Sequence, residues 1–317
     1  MQEVYSTKEA LVGAYKPVIN LELYKNQLSL QSATCTQIHH ADAIIAEVYK
    51  VLTLDGQLFI LKICPHLDDY FREVYFLRQL KGSIPIPQII ATVEPSSNHC
   101  GAILMEYVKG ELLKKEDWST ELAFEIGLTL ACLHNKRTDG FGDLTKPNTL
   151  HREAHLYFNK KFQEELDECR EHLPENLLEK CSAYLDSCQS LLAHVDGPCI
   201  VHRDFRPGNI LIWDGKLQAI IDWASARSGF SEQDFCSIEH FPWAPHAKYK
   251  KSFLEGYSSI RPVPNYQQIL PLLQVGRALA VLGYTFKSKT WNSSNFALYT
   301  YNRQFLDTFS FLTDPIS

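Results

Sequence analysis

A chain of 317 residues exceeds what one hydrophobic core usually organises, so two lobes are expected, and 45% hydrophobic with 12% aromatic content supplies large cores without any disordered or low-complexity stretch. The net charge of −6 argues against nucleic acid as the main partner, and no apolar run looks long enough to span a membrane. The start Met1–Ser6 lacks an export pattern, and nine cysteines without a regular framework read as reduced thiols, so a cytoplasmic protein, monomer or homodimer, is expected.

In chain order, the first feature is a stretch without glycine, Thr36 to Ala46, containing His39 and His40. A strand then resumes over Ala46–Val51, and Leu54-Asp55-Gly56-Gln57 reads as a hairpin turn. Leu58–Ile63 is an apolar run of strand length enclosing one lysine, Lys62, which is expensive to bury without a partner. Phe71–Leu80 has helical spacing with Val74 and Leu77 inward, and Glu73 is the natural partner for Lys62. Ala102–Glu106 is a further apolar strand, running into the polar exit Tyr107–Gly110. Trp118–His134 has helical spacing after a Ser or Thr cap. Residues 151–195 are acidic, with Glu164, Glu165 and Glu168 among the excess, whereas 237–312 are basic and rich in aromatics such as Tyr257, Tyr284, Trp291 and Tyr299. Charge runs on helices are usually solvated faces, and most of these aromatics are expected in the core or at its rim.

The densest signal is Val201-His202-Arg203-Asp204-Phe205-Arg206-Pro207-Gly208-Asn209-Ile210-Leu211, followed by Ala219-Ile220-Ile221-Asp222-Trp223. Ile210–Ile212 and Ala219–Ile221 read as two short strands joined at Asp214-Gly215, which would hold Asn209 at one end and Asp222 at the other. Asp204 is suited to accept the proton of an attacking hydroxyl, while Asn209 and Asp222 are hard oxygen donors of the kind Mg²⁺ prefers. Phosphoryl transfer requires such positioning and charge neutralisation and little covalent work from the protein.

His202–Asn209 together with Ile221-Asp222-Trp223 resembles the signature of aminoglycoside phosphotransferases and their choline-kinase-like relatives. The resemblance implies an α+β, protein-kinase-like two-lobed fold, with a small antiparallel-sheet N-lobe and a larger, mainly helical C-lobe. It implies Asp204 as catalytic base, Arg206 near the transferred phosphate, and Asn209 and Asp222 as ligands of Mg²⁺. Lys62 would hold the phosphates of ATP or GTP and be held by Glu73. Met105 would back the purine pocket, with the Glu106 carbonyl and Val108 amide on the purine edge. The expected division is residues 1–105 for nucleotide binding, 106–110 as hinge, and 111–317 for the catalytic loop and acceptor site. His134 and His202 are read as structural, and Asp234 resembles the family's aspartate that ties the helical lobe to the catalytic loop.

Two departures stand out. Many members carry Gly where this chain has Arg203, and the loop that covers the phosphates usually has the glycines missing from 36–46. The expected activity is ATP-dependent transfer of a phosphoryl group to a hydroxyl of a small molecule, an aminoglycoside-type antibiotic or a metabolite. The alternative is a non-catalytic or weakly active kinase-like binding protein.

Overall fold

The computed structural model describes residues 19–39, 46–240, 247–294 and 296–311. Helix α1 (Leu21–Gln27) comes first, its N-terminus capped by the Asn20 side chain, which accepts the Glu22 N–H. Strands β1 (Thr34–Gln37), β2 (Glu47–Leu52) and β3 (Leu58–Cys64) follow, then α2 (Leu67–Gln79), β4 (Ile89–Val93), β5 (Gly101–Glu106) and β6 (Glu111–Leu112). Helix α3 (Thr120–His134) leads to α4 (Ala154–Cys169), α5 (Glu175–Ser187) and the short α6 (Gln189–Leu192). Strands β7 (Cys199–Val201), β8 (Ile210–Trp213), β9 (Lys216–Ile220) and β10 (Arg227–Gly229) span the motif region, and α7 (Glu232–His240), α8 (Ala247–Ser258), α9 (Tyr266–Lys287) and α10 (Phe296–Thr308) follow.

The described chain forms two compact units. The first holds the residues up to Ile126 together with Arg206–Ala226; the second holds Gly127–Phe205 and the residues from Arg227 onward.

In the first unit, five antiparallel strands are ordered β1-β2-β3-β5-β4. Strand β3 is buried on both sides, and its period-2 alternation separates two cores. Leu61 and Ile63 join Tyr24, Val51 and Leu104 on one face, while Cys64 and, partly buried, Ile60 join Tyr70, Val74, Ile103 and Met105 on the other. Lys62 has the parity of Ile60 and Cys64, so it shares a face with α2, the element that carries Glu73. A second sheet has the order β6-β8-β9. The β8–β9 hairpin turns at Asp214 (φ 51°) and Gly215 (φ 69°), the paired positive φ values that a two-residue primed turn demands.

The second unit is mainly helical. Phe158, Phe162 and Leu166 of α4, Leu178 of α5, Leu272, Leu279 and Leu282 of α9 and Leu306 of α10 share one core. Helix α9 corrects one expectation: by length and composition it is long and apolar enough to cross a membrane. Most of that apolar window is buried inside the unit, so it also fits the central helix of a core. Tyr257 is fully buried, and Trp291 and Tyr299 pack on Phe286 at the edge of this core. All nine cysteines are free thiols, seven of them buried.

Candidate active site

Lys62 is 8% exposed and Glu73 2%, and their side chains meet at 3.0 Å. Lys62 Nζ also lies 2.8 Å from Asp222 Oδ1. Burial by itself would push the ammonium toward the neutral form, but Asp222 and Glu73 outweigh it and hold Lys62 well above its ordinary value. Burial likewise raises the Glu73 carboxyl, and Lys62 pulls it back only in part. The result is a protonated lysine fixed between a buried carboxylate and a half-exposed one.

The chain after β9 carries Asp222 in the left-handed region, at φ 66°. An aspartate tolerates that conformation better than most residues. Helix α2 grips this segment at two successive points. The Trp223 N–H hydrogen-bonds the Glu73 carboxylate, and Arg72 Nε donates to the Ala224 carbonyl at 2.7 Å. The Trp223 ring stacks on Phe76 and its Nε1 donates to the Ile220 carbonyl.

Asn209 is buried and closes the single 3-10 turn Pro207–Asn209, with its N–H donated to the Arg206 carbonyl at 2.9 Å. The Ile221 N–H donates to the Asn209 carbonyl at 3.0 Å, so the hairpin brings Asn209 next to the residue preceding Asp222. An amide oxygen and a carboxylate oxygen form a donor set that fits Mg²⁺. Arg206 is half-buried at the entrance to this turn. Met105 is buried on β5 beside Ile60 and Ile89. Glu106 is tied by its N–H to the Gln88 carbonyl and by Oε1 to the Gln88 N–H, and Val108 is half-buried beyond it.

Asp204 belongs to the second unit, and the chain passes from one unit to the other between Phe205 and Arg206. Its N–H donates to His202 Nδ1 at 3.3 Å, which fits His202 as an orienting residue. Asp234 is fully buried, and its two oxygens accept the backbone N–H groups of His202 (2.8 Å) and Arg203 (2.6 Å). Burial by itself would raise this carboxyl, yet His134, His202 and the backbone N–H groups hold it below its ordinary value. His134 bridges Asp234 (3.0 Å) and the Tyr257 hydroxyl (2.8 Å), and Arg261 donates to the His134 carbonyl. Arg203 is held at φ 65°. That conformation suits glycine better than a residue with a Cβ.

Sequence reasoning missed Arg72, the hydrogen bond between Tyr257 and His134, and the direct Lys62–Asp222 pair. Asp68 and Asp69 precede Arg72 by one helical turn, a spacing that reads as a solvent-facing ion pair, so nothing local pointed to its backbone contact. Of the glycine-free stretch, His39 is exposed, while His40 and residues 41–45 lie outside the described residues.

A five-stranded antiparallel sheet with α2 between β3 and β4, a buried lysine–glutamate pair, and a following helical part define a protein-kinase-like fold. The family model described as the phosphotransferase enzyme family, APH, matches residues 37–272, and the chain belongs to that family. A curated relative, hygromycin-B 4-O-kinase of Escherichia coli, is 23% identical over 206 residues; the match covers 60% of this chain and 57% of the relative's length. A thermostable mutant of aminoglycoside phosphotransferase APH(4)-Ia, solved as a ternary complex with AMP-PNP and hygromycin B, superposes with TM-score 0.67 at 14% identity, covering 90% of this chain and 96% of that one. A candidate fructosamine-3-kinase from Thermobifida fusca has TM-score 0.63 at 22% identity, covering 84% of this chain and 93% of its own.

Proposed function

We propose that this chain transfers the terminal phosphoryl group of ATP or GTP to a hydroxyl of a small molecule, an aminoglycoside-type antibiotic or a metabolite. The observation that carries this reading is Lys62, buried, protonated and held at 3.0 Å by Glu73 and 2.8 Å by Asp222. An ammonium so desolvated and doubly anchored is a ready partner for nucleotide phosphates. The names of the relatives, a hygromycin-B 4-O-kinase and a candidate fructosamine-3-kinase, support a hydroxyl acceptor and leave both acceptor classes in play.

In this reading Asp204 takes the proton of the acceptor hydroxyl, and Arg206 offsets charge on the moving phosphoryl group. Asn209 and Asp222 would hold Mg²⁺, which neutralises phosphate charge when bound. The Glu106 carbonyl and Val108 N–H receive the purine edge against Met105. Residues 1–105 then serve the nucleotide, 106–110 link, and 111–317 supply the loop and acceptor site. This functional division differs from the compact units because the β8–β9 hairpin pairs with β6 and so joins the first unit.

The test is ADP release in Mg²⁺ across aminoglycosides, amino alcohols, sugars and nucleosides. Asp204→Ala and Asp222→Ala are each expected to lower kcat by about 10³-fold with the fold intact by circular dichroism. If calorimetry with Mg²⁺ detects no nucleotide binding to the wild type, the kinase reading fails.

A further inference from the structure

Helix α2 holds the segment after Asp222 from two neighbouring residues, and the second hold has no role in the reading above. Arg72 is 8% exposed, unusual for an arginine, and its guanidinium is divided between two jobs. Its Nη2 pairs with Asp69 and its Nη1 lies 3.8 Å from Asp68, both one turn back on the same helix. Those acids orient the fork, and Nε donates to the Ala224 carbonyl at 2.7 Å. Glu73, the next residue, takes Lys62 and the Trp223 N–H. Consecutive residues of one helix therefore grip backbone groups of the consecutive residues Trp223 and Ala224.

The grip lies where the backbone needs it. Asp222 is at φ 66°, a conformation that persists only when its surroundings over-determine it. Ile220 and Ile221 anchor the upstream side, through the Ile220 N–H on the Pro85 carbonyl and the Ile221 N–H on the Asn209 carbonyl. Arg72 anchors the downstream side at Ala224. A charge-assisted bond to a carbonyl, made by a buried guanidinium already paired with two carboxylates, is stronger than a neutral one.

We infer that Arg72 is a positioning residue: it fixes the backbone that aims the Asp222 carboxylate, so that metal–nucleotide binding depends on how α2 is seated. The inference rests on the proposed kinase reading for its consequence in binding, but its structural part is independent of any ligand.

The test has two arms. In the first, amide hydrogen exchange of the ligand-free protein is compared for wild type, Arg72→Ala and Arg72→Lys. Exchange of residues 222–226 is expected to quicken by about tenfold or more in Arg72→Ala, with β2 and β5 unchanged, and by less in Arg72→Lys, whose single ammonium cannot serve the acid pair and the carbonyl together. In the second, calorimetry with Mg²⁺ and a non-hydrolysable ATP analogue is expected to show affinity weakened about tenfold in Arg72→Ala and partly restored in Arg72→Lys. Unchanged exchange at 222–226, or loosening spread evenly over the first unit, overturns the inference. Where Arg72→Ala does not fold, Arg72→Lys decides: wild-type exchange and affinity refute the role. A wild type that binds no nucleotide sinks the kinase reading, and the exchange arm still judges Arg72.

Discussion

Arg203 shows how one residue reports on its surroundings. Its left-handed backbone is held by Asp234, which accepts the N–H groups of both His202 and Arg203 from a fully buried position. A side chain with a Cβ costs about 1–2 kcal/mol at such a φ, and glycine removes that strain while adding chain entropy to the unfolded state. The two effects nearly offset. Arg203→Gly should therefore lie within about 1 kcal/mol of the wild type in chemical denaturation, whereas Arg203→Val, β-branched at positive φ, should lose about 2 kcal/mol or more. Equal losses for both substitutions would mean that the arginine side chain, and not the backbone, governs the position.

Among the elements, α3 and α8 meet at one small residue. A Cβ built at Gly127 would run into the backbone carbonyl of Phe253, an atom with no freedom to retreat. Alanine is favoured over glycine in a helix interior by about 1 kcal/mol, but overpacking against fixed backbone costs about 1–3 kcal/mol and occasionally more. The clash should win, so Gly127→Ala is expected to lower Tm, a result that differential scanning calorimetry would read directly. A higher Tm would show that the two helices separate more easily than their packing implies. Strand β3 offers the companion lesson, since its alternation carries Lys62 onto the face of α2 and makes the Glu73 pairing a consequence of register.

At the scale of the whole molecule, pH acts through a partly buried charge network in the second unit. Asp196 pairs with Arg137 and Arg261, accepts the Ser231 hydroxyl, and donates its N–H to both carboxylate oxygens of Glu232. Glu232 is 4% exposed, and burial pushes its carboxyl up to about 7. The folded state thus keeps this proton where the unfolded chain has released it. Between the ordinary carboxylate value and about 7 the folded protein binds more protons, so this group's contribution to stability declines as pH rises through that window. Glu232→Gln retains an acceptor and cannot ionise. It should shrink the loss of stability between pH 4.5 and pH 8, by on the order of 1–3 kcal/mol, in denaturant titrations at the two values. An identical decline in the variant would assign the pH response to other groups.

What could be read from the sequence shares one property: the deciding residues are neighbours in the chain or follow a short period. The hairpin at Asp214-Gly215, the strand around Lys62 and the helix bearing Glu73 are set by turn chemistry and by periods of 2 and 3.6. The residue types of Asp204, Asn209 and Asp222 raise the expectation of phosphate chemistry because the loop that bears them is nearly contiguous. Only the tertiary structure decided that Lys62 meets Asp222 as well as Glu73, that Asp234 joins His134 and Tyr257 beneath the backbone of His202 and Arg203, and that Arg72 holds the Ala224 carbonyl. The apolar helix α9 makes the same point, since its composition suits a lipid span as well as a core. Local pattern sets which groups a segment presents and on which face; which distant partner meets that face depends on the path of the whole chain, where contacts far apart in sequence form together or not at all.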